Sequence, residues 1–382
     1  MNFELNETQS LIRDTARKFA REVVAPQARK LDREALFPKD VYPKLGELGL
    51  LGVNIPEPYG GAQAGVVSYA LAMIEISAAC ASTAVGMAVT NMAAELINAY
   101  GTEAQKKKHV TALATGQACV GAFALSEAHA GSDAGALRTR AEKKGDRWVL
   151  NGSKQWITSG AHAGVIVVWA RTSDAGNKGL SCFIVEGGTP GLIVGKAEDK
   201  MGLKGSNTVP LTFENLELPL ENLLAREGDG FKLAMVALDG GRIGISAQAC
   251  GVGRAALEAS VRYSKERKAF GQAIGGFQAL RFMMADMHTR LQAAELLCLR
   301  AATLKEKGLP FTREASMAKL FCSETSNWVC DRAVQIHGGY GYIDEFPVER
   351  YLRDARVQTI YEGTSEIQRL VIAREIFKTV ST

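Results

Sequence analysis

Close to the C-terminus, Tyr361-Glu362-Gly363-Thr364-Ser365-Glu366-Ile367-Gln368 gathers residue types that can do acid–base chemistry. A carboxylate beside a glycine lets the backbone approach a ligand closely, and the Thr, Ser and Glu that follow can open a helix with their polar groups turned one way. Glu362 is therefore a candidate base; a solvated loop glutamate is the plain alternative. Two further stretches could hold a flat ligand with polar edges. Phe123-Ala124-Leu125-Ser126-Glu127-Ala128-His129-Ala130-Gly131-Ser132-Asp133 has small and hydroxyl residues that leave backbone N–H groups free for a polar rim or a phosphate. Trp156 lies two residues before Thr158, which puts an aromatic face and a hydroxyl on the same side of a strand. Each alone is also read as a core tryptophan or a plain turn. No G-x-G-x-x-G occurs, so any dinucleotide is held without a Rossmann loop.

Three regions must position these residues. Residues 1–117 read as helical: Asn6 with Gln9 forms a cap, and Ile12, Ala16, Phe19, Ala20 and Val23 recur at helical spacing up to Pro26. Residues 67–100 are so poor in charge that their helices must be buried on most sides, and Asn54-Ile55-Pro56-Glu57-Pro58-Tyr59-Gly60-Gly61 between them must be a loop. From 118 to 228 the pattern turns to short strands, at 165–170, 181–185, 192–194 and 208–213. Within this region Asn151-Gly152-Ser153 predicts a hairpin turn between 147–150 and 154–157. A β-barrel or sandwich is expected there. From 229 to 382 helices return, and Leu280, Met284, Met287, Leu291, Ala294, Cys298 and Ala301 form a seam suited to a four-helix bundle. The fold class is α+β. Gly240-Gly241, inside a helix predicted over residues 231–267, costs about 1 kcal/mol per glycine relative to alanine, which implies close packing against that backbone.

Composition narrows the partners. The 382 residues exceed one ordinary core; 47% are hydrophobic and 23% charged, as in soluble globular proteins. With 45 basic against 41 acidic residues and no basic stripe, nucleic acid is not an expected partner. Lys106-Lys107-Lys108 reads as a solvated helix face. The seven cysteines are scattered and read as small buried hydrophobes in a reducing compartment. No signal peptide or membrane span is recognised, so the expected location is cytoplasmic with no membrane insertion. No histidine follows a glutamate at Glu-x-x-His spacing, and no metal is expected.

The C-terminal turn, taken with Gln335-Ile336-His337-Gly338-Gly339-Tyr340-Gly341-Tyr342 and Pro347-Val348-Glu349-Arg350-Tyr351-Leu352-Arg353-Asp354-Ala355-Arg356, resembles the signature of the acyl-CoA dehydrogenases. The resemblance runs the length of the chain and implies FAD as cofactor. In that family the residues matching Phe123, Leu125, Ser126 and Ser132 line the flavin, Trp156 with Ile157 covers a ring face, and Thr158 approaches N5. Arg267, Phe270 and Gln278 resemble the segment that reaches a neighbouring subunit's FAD, and Gln335, Gly338 and Gly339 would approach its adenosine half; Thr364 and Glu366 also fall among the cofactor residues. A homotetramer is implied. For substrate, the resemblance implicates Ser132, Asp239, Arg242, Tyr361, Glu362 and Gly363; read alone, Asp239 and Arg242 are an intrahelical ion pair. Some relatives carry their base at the position of Gly241, which leaves Glu362 as the candidate here. One departure stands out: Ala128-His129 replaces a common Pro-Gly. His337 is taken as packing beside the cofactor.

The implied reaction is α,β-dehydrogenation of an acyl-CoA thioester. Glu362 removes the α-proton while a hydride leaves the β-carbon for the flavin, and the Glu362 backbone N–H with a ribityl hydroxyl stabilises the thioester oxygen. Electron-transferring flavoprotein is the implied acceptor, and a short linear acyl chain the expected substrate. An acyl-CoA oxidase using oxygen, a dehydrogenase for branched, alicyclic or aromatic acyl-CoA, and a non-catalytic acyl-CoA-binding protein are the alternatives.

Overall fold

The computed structural model describes residues 4–380, with side chains to residue 378; residues 1–3, part of the N-terminal stretch read above for a leader, lie outside them. No helix among the described residues is long and apolar enough to cross a membrane.

The chain opens with α1 (Glu7–Phe19), α2 (Ala28–Arg33) and α3 (Val41–Glu47). Asn6 and Gln9 cap α1 reciprocally: Asn6 Oδ1 accepts from the Gln9 N–H at 2.8 Å and Gln9 Oε1 from the Asn6 N–H at 3.0 Å. Helices α4 (Gly65–Ala79) and α5 (Ala81–Tyr100) are buried nearly all round, as their composition demands, and Cys80 in extended conformation separates them. The buried Glu75 of α4 keeps its charge because Arg254 meets its two oxygens at 2.9 and 2.7 Å and Arg17 adds a bond of 3.0 Å. The short α6 (Glu103–Gln105) and α7 (Thr111–Ala114) complete this region.

Eight strands follow: β1 (Val120–Ala124), β2 (Arg140–Lys144), β3 (Arg147–Thr158), β4 (Ala163–Arg171), β5 (Leu180–Glu186), β6 (Leu192–Val194), β7 (Thr208–Pro219) and β8 (Leu223–Leu224). They are ordered β6-β7-β3-β2-β4-β5-β8, and β1 pairs in parallel with β4. Strands β2 and β4 share a single residue pair, Arg140 with Arg171, so the sheet divides there into two halves. Their inner faces contribute to one core, in which Trp148 of β3 meets Phe183 of β5 edge-on with centroids 5.3 Å apart.

Asn151-Gly152 does not turn the chain. Strand β3 runs straight through it, Asn151 pairs with Arg140, and the hairpin turn lies earlier, at Gly145-Asp146 between β2 and β3. Gly152 instead marks a shift of register against β7; its φ of 142° and the approach of Thr139, whose Cα would lie 2.7 Å from any Cβ there, explain the glycine. Pairing with β7, from far along the sequence, outweighs the local turn preference.

In the last region α8 (Gly230–Glu266) leads to a two-stranded ribbon, β9 (Lys268–Ala269) with β10 (Gln272–Ala273), and then to α9 (Gln278–Glu306), α10 (Thr312–His337), α11 (Val348–Arg356) and α12 (Ser365–Val380). Helices α8, α9, α10 and α12 form the bundle, and α4 and α5 lie against α8. The crossing of α4 and α8 is close: a Cβ at Gly251 would stand 2.3 Å from the Ile74 carbonyl oxygen. The fully buried Trp169 of β4 donates its indole N–H to the Gly230 carbonyl at 2.7 Å, tying the sheet to the first turn of α8.

Candidate active site

Glu362 and Gly363 form the turn into α12, with φ of 54° and 88°. Left-handed backbone at a glutamate costs about 1 kcal/mol or more and persists only when its surroundings impose it. Here they do. Lys319 of α10 donates from Nζ to the Gly363 carbonyl at 2.7 Å, and Gln368 of α12 donates from Nε2 to the carbonyls of Glu362 and Gly363 at 3.1 and 3.0 Å. Tyr361 is anchored as well: its hydroxyl bonds Gln248 Oε1, while Gln248 Nε2 donates to the Ala81 carbonyl at 2.9 Å.

The Glu362 carboxyl points at α8. A Cβ at Gly241 would lie 2.7 Å from its Oε2 and 2.9 Å from Met92 Sδ. That oxygen is buried and has no hydrogen-bond partner among the described residues. Loss of solvation pushes its pKa up to about 7, against a downward pull from Arg242 and Lys319. A desolvated carboxyl without a hydrogen-bond partner binds a proton more tightly than one in water.

Three glycines make that wall. Gly240, Gly241 and Gly244 open one face of α8 toward α4, α5 and the end of α9. At Gly240 stands Lys305, whose Nζ bonds both oxygens of Glu95 at 2.7 Å; Asn54 also donates to Glu95, and Asn91 to Asn54. Lys305 and Glu95 are partly exposed, whereas Asn91 is buried. At Gly241 stand Glu362 and Met92. At Gly244 stands the buried Tyr69, whose hydroxyl lies 2.6 Å from where a Cβ would be and has no hydrogen-bond partner among the described residues. The face of α8 that walls this chamber thus meets a charged pair at Gly240, the carboxyl at Gly241 and a tyrosine one turn further at Gly244. Asp239 and Arg242 flank it, bonded to each other at 2.5 Å; Asp239 also accepts from Thr312 at 2.6 Å and Arg242 donates to Ser316 at 3.2 Å.

On the other side, β1 docks against α5 through a bond from the Gly121 N–H to Thr90 Oγ1 at 2.9 Å, two residues before Met92. Phe123 packs on Trp169, with centroids 4.3 Å apart, and Leu125 is buried. The Leu125 carbonyl accepts from the buried Lys154 at 3.1 Å and the Ser126 carbonyl from the Gln155 N–H at 2.9 Å, so the loop is knitted to β3 beside Trp156. Lys154 in turn meets Glu127 at 2.7 Å, and Glu127 also accepts from the N–H groups of Arg138 and Thr139. The departure at Ala128-His129 is accommodated: paired 3.0 Å bonds between Glu127 and Ala130 close a tight turn around them, and neither adopts positive φ. Ser132 is exposed. Trp156 has φ of 65° and is 60% exposed, whereas Ile157 is buried and Thr158 half-buried. A bulge between Lys154 and Ile157 interrupts regular alternation there. An exposed indole face with hydroxyls and free backbone beside it fits a flat ring with a polar rim, as in a flavin.

A second set of expected residues shares no residue with the chamber. Arg267, Gly338 and Gly339 line a separate cavity of about 490 Å³ with Tyr263, His337 and Tyr340. Arg267 lies over the Tyr340 ring at 5.3 Å, and open space surrounds both glycines. Phe270 is 94% exposed, and Gln278 and Gln335 are exposed nearby in sequence but do not line the cavity. His337 is buried, stacked on Tyr263 at 4.3 Å, with Nδ1 2.8 Å from the Ala333 carbonyl. Thr364 Oγ1 accepts from the Ile367 N–H at 3.3 Å and caps α12, while Glu366 is exposed.

Sequence reading missed Lys319, Gln368, Met92, Tyr69 and Gln248. For Lys319 a signal existed: it sits four residues after Ala315 and three before Cys322, on the buried stripe of α10. A lysine there is out of pattern.

Comparison with known proteins accords with this geometry. The chain matches the acyl-CoA dehydrogenase N-terminal domain over residues 6–117, the middle domain over 122–216 and the C-terminal domain over 228–377. It is 48% identical over 377 residues to the short-chain specific acyl-CoA dehydrogenase, mitochondrial, of Mus musculus, covering 98% of this chain and 91% of that one. The butyryl-CoA dehydrogenase structure from Megasphaera elsdenii superposes with a TM-score of 0.97 at 42% identity, covering 99% of this chain and all of that one. A chain from the structure of the electron transferring flavoprotein of Acidaminococcus fermentans also gives 0.97, at 47% identity over 98% of this chain and 99% of that one. Matched in order from the first helix to the last, with an enclosed carboxyl at its C-terminal turn, the protein belongs to the acyl-CoA dehydrogenase family.

Proposed function

We propose that the protein is an FAD-dependent dehydrogenase of short-chain acyl-CoA thioesters, forming the trans-2-enoyl-CoA and passing electrons to an electron-transferring flavoprotein. The observation that carries this reading is the Glu362 carboxyl, enclosed, unpartnered and aimed at the glycine wall of α8. Its Oε2 takes the α-proton of the thioester. Removal from water strengthens the carboxylate as a base and suits it to a very weak carbon acid. The Glu362 backbone N–H donates to the thioester oxygen as charge builds there.

FAD, when bound, supplies the acceptor for the hydride that leaves the β-carbon. Trp156, Ile157 and Thr158 hold its ring system together with Phe123, Leu125, Ser126 and Ser132, and Thr364 and Glu366 complete the near side. Arg267, Phe270, Gln278, Gln335, Gly338 and Gly339 serve the cofactor of a neighbouring subunit in a homotetramer. The Arg267 guanidinium, over Tyr340 and in the same cavity as two open glycines, supports that role, because it suits a pyrophosphate. Asp239, Arg242, Ser132, Tyr361 and Gly363 frame the substrate.

The spacing along α8 supports a short chain: Glu362 faces Gly241 and Tyr69 faces Gly244, three residues and a rise of roughly 4.5 Å apart. The test is Glu362→Gln. The variant keeps its yellow flavin but loses substrate-driven bleaching under anaerobic conditions by orders of magnitude; near-normal bleaching removes Glu362 from the reaction. Peroxide release matching turnover in air would instead make the enzyme an oxidase.

A further inference from the structure

A buried lysine is an expensive way to satisfy one carbonyl. Lys319 is fully enclosed in α10, its single hydrogen bond goes to the neutral Gly363 carbonyl at 2.7 Å, and it makes no ion pair within 4 Å among the described residues. The neutral amide of Gln368 already bonds that carbonyl. Hydrogen bonding alone therefore does not account for an ammonium group at this place. What distinguishes it is charge beneath a carboxyl that has lost its solvent.

We infer that Lys319 is a positioning residue for Glu362: with Gln368 it clamps the two carbonyls of the left-handed turn, and its charge keeps the enclosed carboxyl in the form that accepts a proton. The inference rests on the reading of Glu362 as the base. The clamp is geometric. Two consecutive positive φ angles, 54° and 88°, turn both carbonyls toward α10 and α12, where Lys319 and Gln368 receive them. The same turn sends the carboxyl the other way, against Gly241.

The electrostatic part is reciprocal. Burial pushes the Lys319 ammonium down to about 8, and Glu362 opposes that most among its neighbours, ahead of Glu366 and Glu324; Arg242 adds to it. For Glu362 the opposing cations are Arg242 from α8 and Lys319 from α10. Asp239 partly neutralises Arg242, and Arg374 of α12 lies within its field. From α4 the Tyr69 hydroxyl feels both Glu362 and Glu95 of α5, but Glu95 is paired with Lys305 of α9. Tyr361, beside Glu362 in the turn, is an un-ionised phenol bonded to Gln248. Among the described residues, Lys319 is thus the cation near the base with no carboxylate of its own within 4 Å.

The experiment uses the full-length, FAD-loaded enzyme and follows anaerobic flavin reduction by butyryl-CoA in stopped flow from pH 6 to 10, with melting temperature and flavin content beside it. Lys319→Met is expected to lower the limiting rate about tenfold to a hundredfold and to move the midpoint of its pH profile upward by about one unit. Lys319→Gln, which can donate but carries no charge, should recover rate at high pH while keeping the raised midpoint. Gln368→Leu should lower the rate with the midpoint unmoved. If Lys319→Met does not fold, the glutamine variant decides. A midpoint unchanged from wild type in the folded lysine variants overturns the inference, since a purely structural lysine alters melting temperature and flavin content alone. Loss of bleaching in Glu362→Gln with this result would leave the base assignment standing and the positioning role refuted; normal bleaching in Glu362→Gln would remove the base itself.

Discussion

Replacing Gly241 with alanine separates catalysis from stability. The added Cβ would stand 2.7 Å from Glu362 Oε2 and 2.9 Å from Met92 Sδ, where ordinary contacts begin at 3.4 Å. The thioether can swing away, because methionine is flexible and has no bond to lose. The carboxyl has less freedom: its backbone is held by Lys319 and Gln368, so Oε2 must retreat by about 0.7 Å, the difference between those two distances. A displacement approaching 1 Å at a reacting atom can cost on the order of a hundredfold in rate. Flavin reduction by saturating butyryl-CoA should therefore slow by about tenfold to a hundredfold. Stability should move the other way, since alanine within a helix is favoured over glycine by about 1 kcal/mol. The measurement pairs stopped-flow bleaching with thermal melting, and Gly251→Ala is the control. There the new Cβ would meet the Ile74 carbonyl at 2.3 Å, a backbone atom that cannot swing aside, so the melting temperature should fall. A Gly241→Ala enzyme that reduces its flavin within twofold of wild type would show that the carboxyl is not held against α8, and the reasoning would fail.

Other consequences follow from the same chamber. Tyr69→Ala removes the floor facing Gly244 and should shift the preference in kcat/KM toward longer linear acyl-CoA, at a stability cost of about 3–5 kcal/mol; an unchanged chain-length profile would put the floor elsewhere. Glu362→Gln should also stabilise the protein in a pH-dependent way. The carboxyl holds its proton more tightly folded, near pH 7, than at the ordinary glutamate value of 4.5, so ionising it costs stability. That cost is absent below about pH 4.5, grows as pH rises and is complete above about 7, reaching the order of 3 kcal/mol. Denaturant titrations of both proteins at pH 5 and pH 8.5 check it, and a gap that narrows with rising pH would contradict the sign. In the wild type the limiting rate of flavin reduction should rise through about pH 7 as Glu362 loses its proton.

The acidic turn, the partition into helical, stranded and helical regions, and the family were all legible in the sequence, because they depend on residues close together in the chain. The α1 cap needs only Asn6 and Gln9, and α4 and α5 declare their burial by lacking charge. Gly240-Gly241 announced a close approach without saying to what. Where short-range rules competed with distant partners, the distant partners prevailed. Asn151-Gly152 has the composition of a turn, yet pairing with β7 draws β3 through it, and the bulge beside Trp156 comes from that same ladder. Only the tertiary structure decided that Gly241 faces Glu362, that Tyr69 faces Gly244 one turn further along α8, and that Lys319 holds the turn that carries the carboxyl. These residues are tens to hundreds of positions apart, and no local periodicity encodes their meeting. It arises when α4, α5, the end of α9 and the turn into α12 pack around the glycine face of α8, and the loss of water there raises the proton affinity of a common side chain.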